Sequence, residues 1–204
     1  MRYGHWLIPV VLILPLLAAG PALAGDDGNW MIRGRVIYVA PDASGSGDLG
    51  DAGVDVDNNF TAEVDFSYFF NDNLAVEAIV ATTSHEVTIE GGSLGSASLL
   101  PPTVLLQYHF RPDGGFRPYV GVGLNYTIFY DQTGYLASSE FDDLDNSFGL
   151  AGQIGADIPL ANGMFFNLDL KYIQVDTDVV FKGDKIGTLD IDPWIFGVGF
   201  GWRF

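Results

Sequence analysis

The chain contains no cysteine among its 204 residues. Disulfide bonds and thiolate metal sites are therefore excluded, and cysteine usage carries no information about the redox compartment. Basic residues are also scarce, because nine Lys and Arg stand against 26 Asp and Glu and the formal net charge is −17. A charge of this sign argues against a nucleic-acid partner.

After residue 24 no apolar run approaches the length of about twenty residues that a transmembrane helix requires. The segment before it has the parts of a secretory signal: a positive Arg2, an apolar run over residues 6–17 broken by two prolines, and a small-x-small cleavage site at residues 22–24. A transmembrane helix is the alternative interpretation, but the run is too short. The sequence predicts a signal peptide at residues 1–24 and a mature chain of residues 25–204 that leaves the cytoplasm.

The last stretch, residues 192–204, alternates between large apolar residues and small or charged ones, which fall on opposite faces of a strand. In a water-soluble sandwich the large face would pack against a second sheet. In a membrane barrel it faces lipid, and the small face lines a lumen. The terminal Phe204 favours the barrel, because it resembles the aromatic C-terminal signature that is read during assembly of bacterial outer-membrane barrels. The large face comprises Trp194, Phe196, Val198, Phe200, Trp202 and Phe204.

The same alternation returns in seven earlier segments, so eight strands are predicted. Eight tilted strands of about ten residues, with their connections, account for the chain length. The sequence therefore predicts an all-β protein, an eight-stranded antiparallel up-and-down transmembrane barrel over residues 25–204. The predicted strands are residues 30–40, 60–70, 74–88, 100–110, 119–130, 148–158, 166–173 and 192–204, and the predicted long loops are 41–58, 91–98 and 131–146.

Connection lengths alternate along the chain, with long ones after the first, third and fifth strands and short ones after the second, fourth and sixth. This asymmetry is typical of barrels whose short turns face the periplasm. Aromatic residues gather near strand ends, Tyr119 among them at the lower rim, and are predicted to form two interfacial girdles. The repetition of the pattern favours a membrane barrel more strongly than any single strand does.

The residues that the alternation places on the inward face of the barrel fall into two groups, according to their level between the lower and the outer end. The interior of an eight-stranded barrel is just wide enough for side chains or one small ligand. Charges of both signs at middle and lower levels can pair and predict a polar plug: Arg33, Arg35, Glu63, Asp65, Glu77, Asp169, Lys171 and Arg203. Apolar residues toward the outer end predict a substrate vestibule: Ile37, Leu105, Phe129, Ile173 and Ile195. The alternative interpretation is that these apolar residues only fill a small barrel as its core.

Two runs, LPPTVLLQYHF at residues 100–110 and FRPYVGVGLNYT at residues 116–127, resemble the core of the outer membrane protein W (OmpW) family. Residues 33–42, 168–177 and 190–204 extend the resemblance over nearly the whole mature chain. It implies an eight-stranded barrel in the outer membrane of a Gram-negative bacterium, with passive uptake of small hydrophobic molecules and lateral diffusion into the membrane. In some members the family is also associated with colicin reception and stress responses.

The predicted function is uptake of small hydrophobic solutes through the vestibule, with lateral release where Pro101 and Pro102 weaken strand pairing. The alternative is a structural or receptor-type barrel that acts through its extracellular loops. An enzyme is not predicted, because His85 and Ser84 are adjacent on a strand and point to opposite faces. His109 is predicted to be a hydrogen-bonded residue of the lumen. No cofactor or metal is predicted. The expected partners are outer-membrane lipid and lipopolysaccharide, the barrel assembly machinery and small hydrophobic solutes.

Overall fold

The computed structural model describes residues 28–50, 53–90, 92–137 and 144–204. The predicted signal peptide, residues 1–24, lies outside the described residues. Within the described ranges, no helix has the length and apolar character needed to cross a membrane.

The described part of the chain is built almost entirely of strands and their connections, as the two-residue alternation predicts. Two short 3-10 helices, Gly47–Leu49 and Gly134–Ala137, interrupt them in the described residues. The strands of the described ranges are β1 (Trp30–Ala40), β2 (Ser44–Gly45), β3 (Asp55–Val56), β4 (Asn59–Phe69), β5 (Leu74–Ala81), β6 (Thr83–Ile89), β7 (Gly92–Leu100), β8 (Thr103–His109), β9 (Arg117–Tyr130), β10 (Ser147–Pro159), β11 (Met164–Ile173), β12 (Asp176–Phe181), β13 (Asp184–Asp190) and β14 (Trp194–Arg203).

Eight of these strands form a closed antiparallel ring. Its order is β1, β4, β5, β8, β9, β10, β11 and β14, and β14 pairs back onto β1 from Met31 opposite Arg203 to Ala40 opposite Trp194. Closure leaves no free sheet edge, which is the condition for strands to span a bilayer. The predicted eight-stranded antiparallel barrel is confirmed.

The barrel wall separates two environments residue by residue. On β14 the side chain of Phe196 is 51% exposed and faces outward, whereas its neighbour Ile195 is 5% exposed and faces the interior. The large apolar side chains of the closing strand are thus not covered by a second layer of protein. A water-soluble sandwich is excluded, and the exposed apolar face matches a lipid-facing surface.

Short turns close the barrel at the end that also carries the chain's last residue, and we call this the lower end. At one turn the Asn71 Oδ1 atom accepts hydrogen bonds from the backbone N–H groups of Asn73 and Leu74, both at 2.9 Å. At another turn Asn162 and Gly163 have φ of 60° and 73°, the left-handed conformation that the commonest two-residue hairpin turn requires. Such short turns face the periplasm in bacterial barrels.

The opposite end, which we call the outer end, is more regular than the sequence indicates. Residues 91–98 were predicted to be a loop because they are mostly Gly and Ser, but β7 starts at Gly92 and pairs with β6. Ala97 and Leu99 of β7 bury their side chains inward, and this burial outweighs the weak strand propensity of Gly and Ser. Strands β12 and β13 likewise form a hairpin that extends the wall outward.

Candidate functional site

The inward-facing side chains change from polar to apolar at one level around the barrel. On β1 Arg35 is followed on the outer side by Ile37, and on β11 Lys171 is followed by Ile173, all of them buried. Corresponding pairs on other strands are Glu77 with Ile79 on β5 and Gln107 with Leu105 on β8. A charged layer therefore lies below an apolar one.

The charged layer is centred on Arg33, whose side chain is completely buried. Its Nη2 donates to Asp157 Oδ2 at 2.9 Å, and its Nη1 donates to Glu77 Oε1 at 3.1 Å. The same Nη1 lies 3.3 Å from Asp65 Oδ1. One guanidinium group thus joins carboxylates of three other strands across the bore, with charge-assisted hydrogen bonds.

Arg35 and Lys171 extend this layer outward. Arg35 donates from Nε to Glu63 Oε1 at 2.8 Å and from Nη2 to Asp65 Oδ2 at 2.5 Å. Lys171 Nζ donates to the same Glu63 oxygen at 2.8 Å and to Asp169 Oδ1 at 2.6 Å. We call the three cations Arg33, Arg35 and Lys171 and the five carboxylates Glu63, Asp65, Glu77, Asp157 and Asp169 the charged floor.

Neutral amides fill the gaps within the charged floor. Gln107 Nε2 donates to Glu77 Oε2 and to Gln153 Oε1, each at 2.8 Å, and Gln153 Nε2 donates to Asp169 Oδ2 at 2.8 Å. Within the described residues, every buried side-chain nitrogen and oxygen has a hydrogen-bond partner. A network in which every buried atom has a partner is rigid, whereas one that leaves atoms without any partner would be costly.

Tyr119 belongs to the interior and not to the lower aromatic girdle, where the sequence interpretation placed it. Its side chain is 1% exposed, and its hydroxyl donates to Asp169 Oδ2 at 2.7 Å. A Cβ atom at Gly155 would lie 2.3 Å from the tyrosine ring, so the ring occupies space that only glycine leaves open. The predicted place of Tyr119 in the lower girdle is therefore wrong. Its position two residues before Gly121 in the strand puts both on the inward face, although a large ring near a strand end is typical of a girdle.

Seven of the eight predicted plug residues lie in the charged floor, and Arg203 lies nearer the lower end. Arg203 Nε donates to the carbonyl oxygen of Gly28 at 2.9 Å, and its guanidinium carbon lies 3.8 Å from the centre of the Phe69 ring. Phe204, the predicted assembly signal, exchanges backbone hydrogen bonds of 3.0 and 2.8 Å with Trp30 and keeps its ring exposed.

Three of the five predicted vestibule residues, Ile37, Ile173 and Ile195, line one cavity of about 40 Å³ directly above the charged floor. This first cavity also reaches Glu63 and Lys171. Phe129 lines a second cavity of about 20 Å³. Leu105 is completely buried and is not among the residues lining either cavity. The structure therefore brings the predicted residues into one apolar core but not into one chamber.

A third cavity, of about 200 Å³, lies at the outer end. It shares Val87, Leu144 and Leu189 with the second cavity, and the second shares His85, Leu99 and Ile191 with the first. The three cavities thus lie in series between the outer end and the charged floor. The third cavity is not evident from the sequence, because segments scattered along the chain build it. Its other lining residues are Asp48, Leu49, Val54, Ile89, Leu94, Leu136, Val179 and Ile186.

The wall beside the first cavity is interrupted at Pro101 and Pro102. Pairing of β5 with β8 stops at Ile79 opposite Thr103, and pairing of β6 with β7 starts at Thr83 opposite Leu99. We call residues 80–82 together with Pro101 and Pro102 the proline seam. Prolines have no N–H to donate, so this part of the wall lacks its regular ladder.

A second interruption, between β13 and β14, is closed by other hydrogen bonds. The N–H of Asp42 donates to the Ile191 carbonyl oxygen at 2.9 Å, and the N–H of Val175 donates to Asp192 Oδ1 at 2.9 Å.

On one flank of the proline seam the N–H of Tyr126 donates to the Pro102 carbonyl oxygen at 3.0 Å, so the loosely paired flank faces β5 and β6. The first cavity touches Pro101 directly.

Comparison with known proteins identifies the type of barrel. Residues 26–204 match the sequence model of the OmpW family. The chain belongs to the OmpW family. The resemblance noted in the sequence is thereby confirmed, and so is the location in the outer membrane, since similar proteins carry outer-membrane names.

Relatives and solved structures of the family cover nearly the full chain. An uncharacterized outer-membrane protein y4mB of Sinorhizobium fredii is 39% identical over 93% of this chain and 86% of its own length. Outer membrane protein W of Vibrio cholerae is 34% identical over 94% and 96%. The crystal structure of OprG from Pseudomonas aeruginosa has a TM-score of 0.75 at 33% identity, with 87% of this chain and 96% of that one covered.

Two more distant family comparisons bear on solutes and on the bilayer. The solid-state NMR structure of outer membrane protein AlkL in DMPC lipid bilayers has a TM-score of 0.69 at 28% identity, with 91% of this chain and 94% of that one covered. The dibenzothiophene metabolism operon protein PahQ of Pseudomonas aeruginosa is 27% identical over 96% of this chain and 98% of its own length.

Membership of this family of outer-membrane barrels agrees with the prediction that the chain is not an enzyme. His85 uses both ring nitrogens inside the barrel, with Nδ1 2.6 Å from the Asp57 carbonyl oxygen and Nε2 3.0 Å from Thr83 Oγ1. His109 Nε2 lies 3.0 Å from Gln107 Oε1. Both histidines are hydrogen-bonded interior residues in the described structure.

Proposed function

We propose that this barrel mediates passive uptake of small hydrophobic molecules, which bind in an apolar vestibule at the outer end and leave sideways into the membrane. The vestibule consists of the three cavities in series. The proposal depends chiefly on one observation: the mostly apolar cavities end on a charged floor in which, within the described residues, every buried side-chain nitrogen and oxygen has a hydrogen-bond partner. The name of the relative PahQ refers to metabolism of dibenzothiophene, an apolar aromatic compound of the class proposed here.

The charged floor gives an apolar solute no route downward. Passage would separate Arg33 from carboxylates that lie between 2.9 and 3.3 Å away, inside a completely buried cluster. Breaking one buried ion pair costs about 3–5 kcal/mol, and an apolar solute offers no hydrogen bond in return. We therefore infer that the solute stays above the floor.

The proline seam is the proposed exit. Pro101 and Ala81 line the first cavity from either side of the seam. Parting the wall there breaks fewer backbone hydrogen bonds than parting a continuous ladder such as that of β1 and β14, because the regular ladder stops at Ile79 and resumes at Thr83. A solute leaving through this gap enters the hydrocarbon layer that surrounds the barrel.

The roles proposed for the two ends of the barrel follow from their chemistry. Acidic side chains such as Asp48 and Asp178 lie at the outer end, and divalent cations bridging them to lipopolysaccharide phosphates would link the barrel to the outer leaflet. The exposed Phe204 ring at the lower end is the proposed signal for the barrel assembly machinery.

Uptake of radiolabelled octane by cells with and without the protein tests the proposed function. Phe129→Asp places a charge in the second cavity and should lower uptake at least about tenfold, because an unpaired charge repels apolar solute from the path. The control variant Tyr135→Asp charges an exposed side chain of the same outer region and should leave uptake unchanged.

Both variants must be compared at equal barrel levels in the outer membrane. Equal octane uptake in cells with and without the protein would contradict the proposal and would favour the structural or receptor-type role of the loops.

A further inference from the structure

Lys171 stands at the boundary between the charged floor and the first cavity. Its Nζ donates to Glu63 and Asp169, and these are its two hydrogen bonds within the described residues. An ammonium group carries three N–H donors. One donor is therefore left on a 2% exposed residue that lines a mostly apolar cavity.

The surroundings of Lys171 decide which kind of group can use this donor. The charged floor has three cations and five carboxylates, so its formal charge is negative. A carboxylate or phosphate head group brought to Lys171 would meet Glu63 and Asp169 already in place and would be repelled. An alkylammonium has no lone pair to accept the hydrogen bond. A neutral oxygen acceptor fits both the donor and the charge.

The walls above Lys171 suit an alkyl chain. Ile37, Ile173 and Ile195 surround the first cavity, and Leu99 continues the apolar lining into the second. A cavity of about 40 Å³ has room for a head group and its first carbons, since one water-sized site needs about 10–15 Å³. The rest of the chain would extend outward through the next cavities.

We propose that the preferred ligands are neutral oxygen-bearing amphiphiles, such as medium-chain alcohols, ketones or esters, whose oxygen accepts a hydrogen bond from Lys171 Nζ. This inference rests on the proposed function and narrows its substrate class. Bare hydrocarbons bind the same cavities without the polar contact. Lys171 is then a specificity-determining residue at the floor of the vestibule.

The test compares ligands of eight carbons on the full chain in lipid nanodiscs: octane, 1-octanol, 2-octanone, octanoate and octylammonium. The wild type should bind 1-octanol and 2-octanone at least about tenfold more tightly than octane, because a hydrogen bond to a charged group is lost with octane. 2-Octanone can only accept a hydrogen bond, whereas 1-octanol can also donate one, so tight binding of 2-octanone shows that the ligand oxygen acts as the acceptor. Octanoate and octylammonium should bind no better than octane.

The diagnostic variant is Lys171→Met combined with Asp169→Asn, which removes one charge of each sign and keeps the net charge of the floor. It should bind 1-octanol, 2-octanone and octane alike. The matched control is Lys185→Met with Asp178→Asn, which removes an exposed pair with a 2.7 Å contact on the outer hairpin. The control should keep the wild-type preference.

If the diagnostic variant does not fold, the ¹⁵N resonance of the wild-type Lys171 side chain tests whether the ligand oxygen contacts Nζ. It should shift with 2-octanone and not with octane. Equal wild-type affinities for octane, 1-octanol and 2-octanone, tighter binding of either charged ligand, or an unchanged preference in the folded variant would overturn the inference. In that case octane uptake that depends on the barrel would still support the proposed function, whereas barrel-independent uptake of every ligand would refute both.

Discussion

A disulfide across the proline seam should stop uptake while leaving the barrel folded. The register supports one choice of positions: two residues beyond the Ile79–Thr103 pair, and two residues before the Thr83–Leu99 pair, Ala81 lies opposite Pro101. Opposed residues of antiparallel strands have Cα atoms about 4.5–5.5 Å apart. A disulfide spans about 4.4–6.8 Å. The double variant Ala81→Cys/Pro101→Cys should therefore oxidise readily, and no native cysteine can compete with it.

The free-energy cost of opening the wall depends on how many backbone hydrogen bonds the opening breaks. A fully paired wall parted over three residues would lose about three backbone hydrogen bonds, each worth about 4–6 kcal/mol in an apolar medium. The cost of at least about 12 kcal/mol would slow opening by roughly nine orders of magnitude. The proline seam avoids most of this cost, because residues 80–82 and the two prolines make no ladder there. A covalent bridge removes that advantage.

The assay is octane uptake into proteoliposomes, measured before and after reduction. Oxidised protein should be as inactive as empty liposomes, and reduction should restore uptake. The matched control is Val36→Cys/Val198→Cys, a directly opposed pair in the fully paired wall of β1 and β14, which should oxidise without changing uptake. Undiminished uptake by the oxidised seam variant would refute the exit proposed here.

Two further predictions concern stability and assembly. Gly155→Ala should lower the urea midpoint of unfolding in lipid vesicles, because the new Cβ would lie 2.3 Å from the buried ring of Tyr119. The control Gly152→Ala on the same strand meets nothing within 4 Å and should leave the midpoint unchanged. Equal midpoints for the two variants would contradict the packing argument. Phe204→Ala should reduce barrel levels in the outer membrane several-fold without slowing refolding of purified protein, and Phe116→Ala, another exposed aromatic near the lower end, should do neither.

Local alternation was sufficient to predict the two faces of the wall. Phe196 and Ile195 are neighbours in the chain and face lipid and bore respectively, as a two-residue period requires. The same period predicted which charges lie inside. Their partners could not be read from any window of sequence, because Lys171 meets Glu63 across 108 positions and Arg33 meets Asp157 across 124.

Two sequence predictions are wrong because local composition or position near a strand end does not show which side chains are buried in the folded barrel. Residues 91–98 looked like a loop since Gly and Ser have weak strand propensity, yet Ala97 and the neighbouring Leu99 pack inside the extended wall. Tyr119 was assigned to a girdle by its size, although a glycine on the adjacent strand makes room for it inside. The third cavity draws on segments from Leu49 to Leu189, so only the folded chain brings its lining together.

The charged floor and the proline seam have to be considered as one arrangement. The floor's two extra carboxylates repel anions, and its paired atoms hold together below the first cavity. With that floor and an unbroken wall, a solute in the vestibule could only return outward, and no net uptake would result. With a gap in the wall and no floor, polar solutes could leak through the bore. In the proposed uptake, a paired floor beside a loosely paired seam would let an apolar solute reach the bilayer while the barrel stays closed to water and ions.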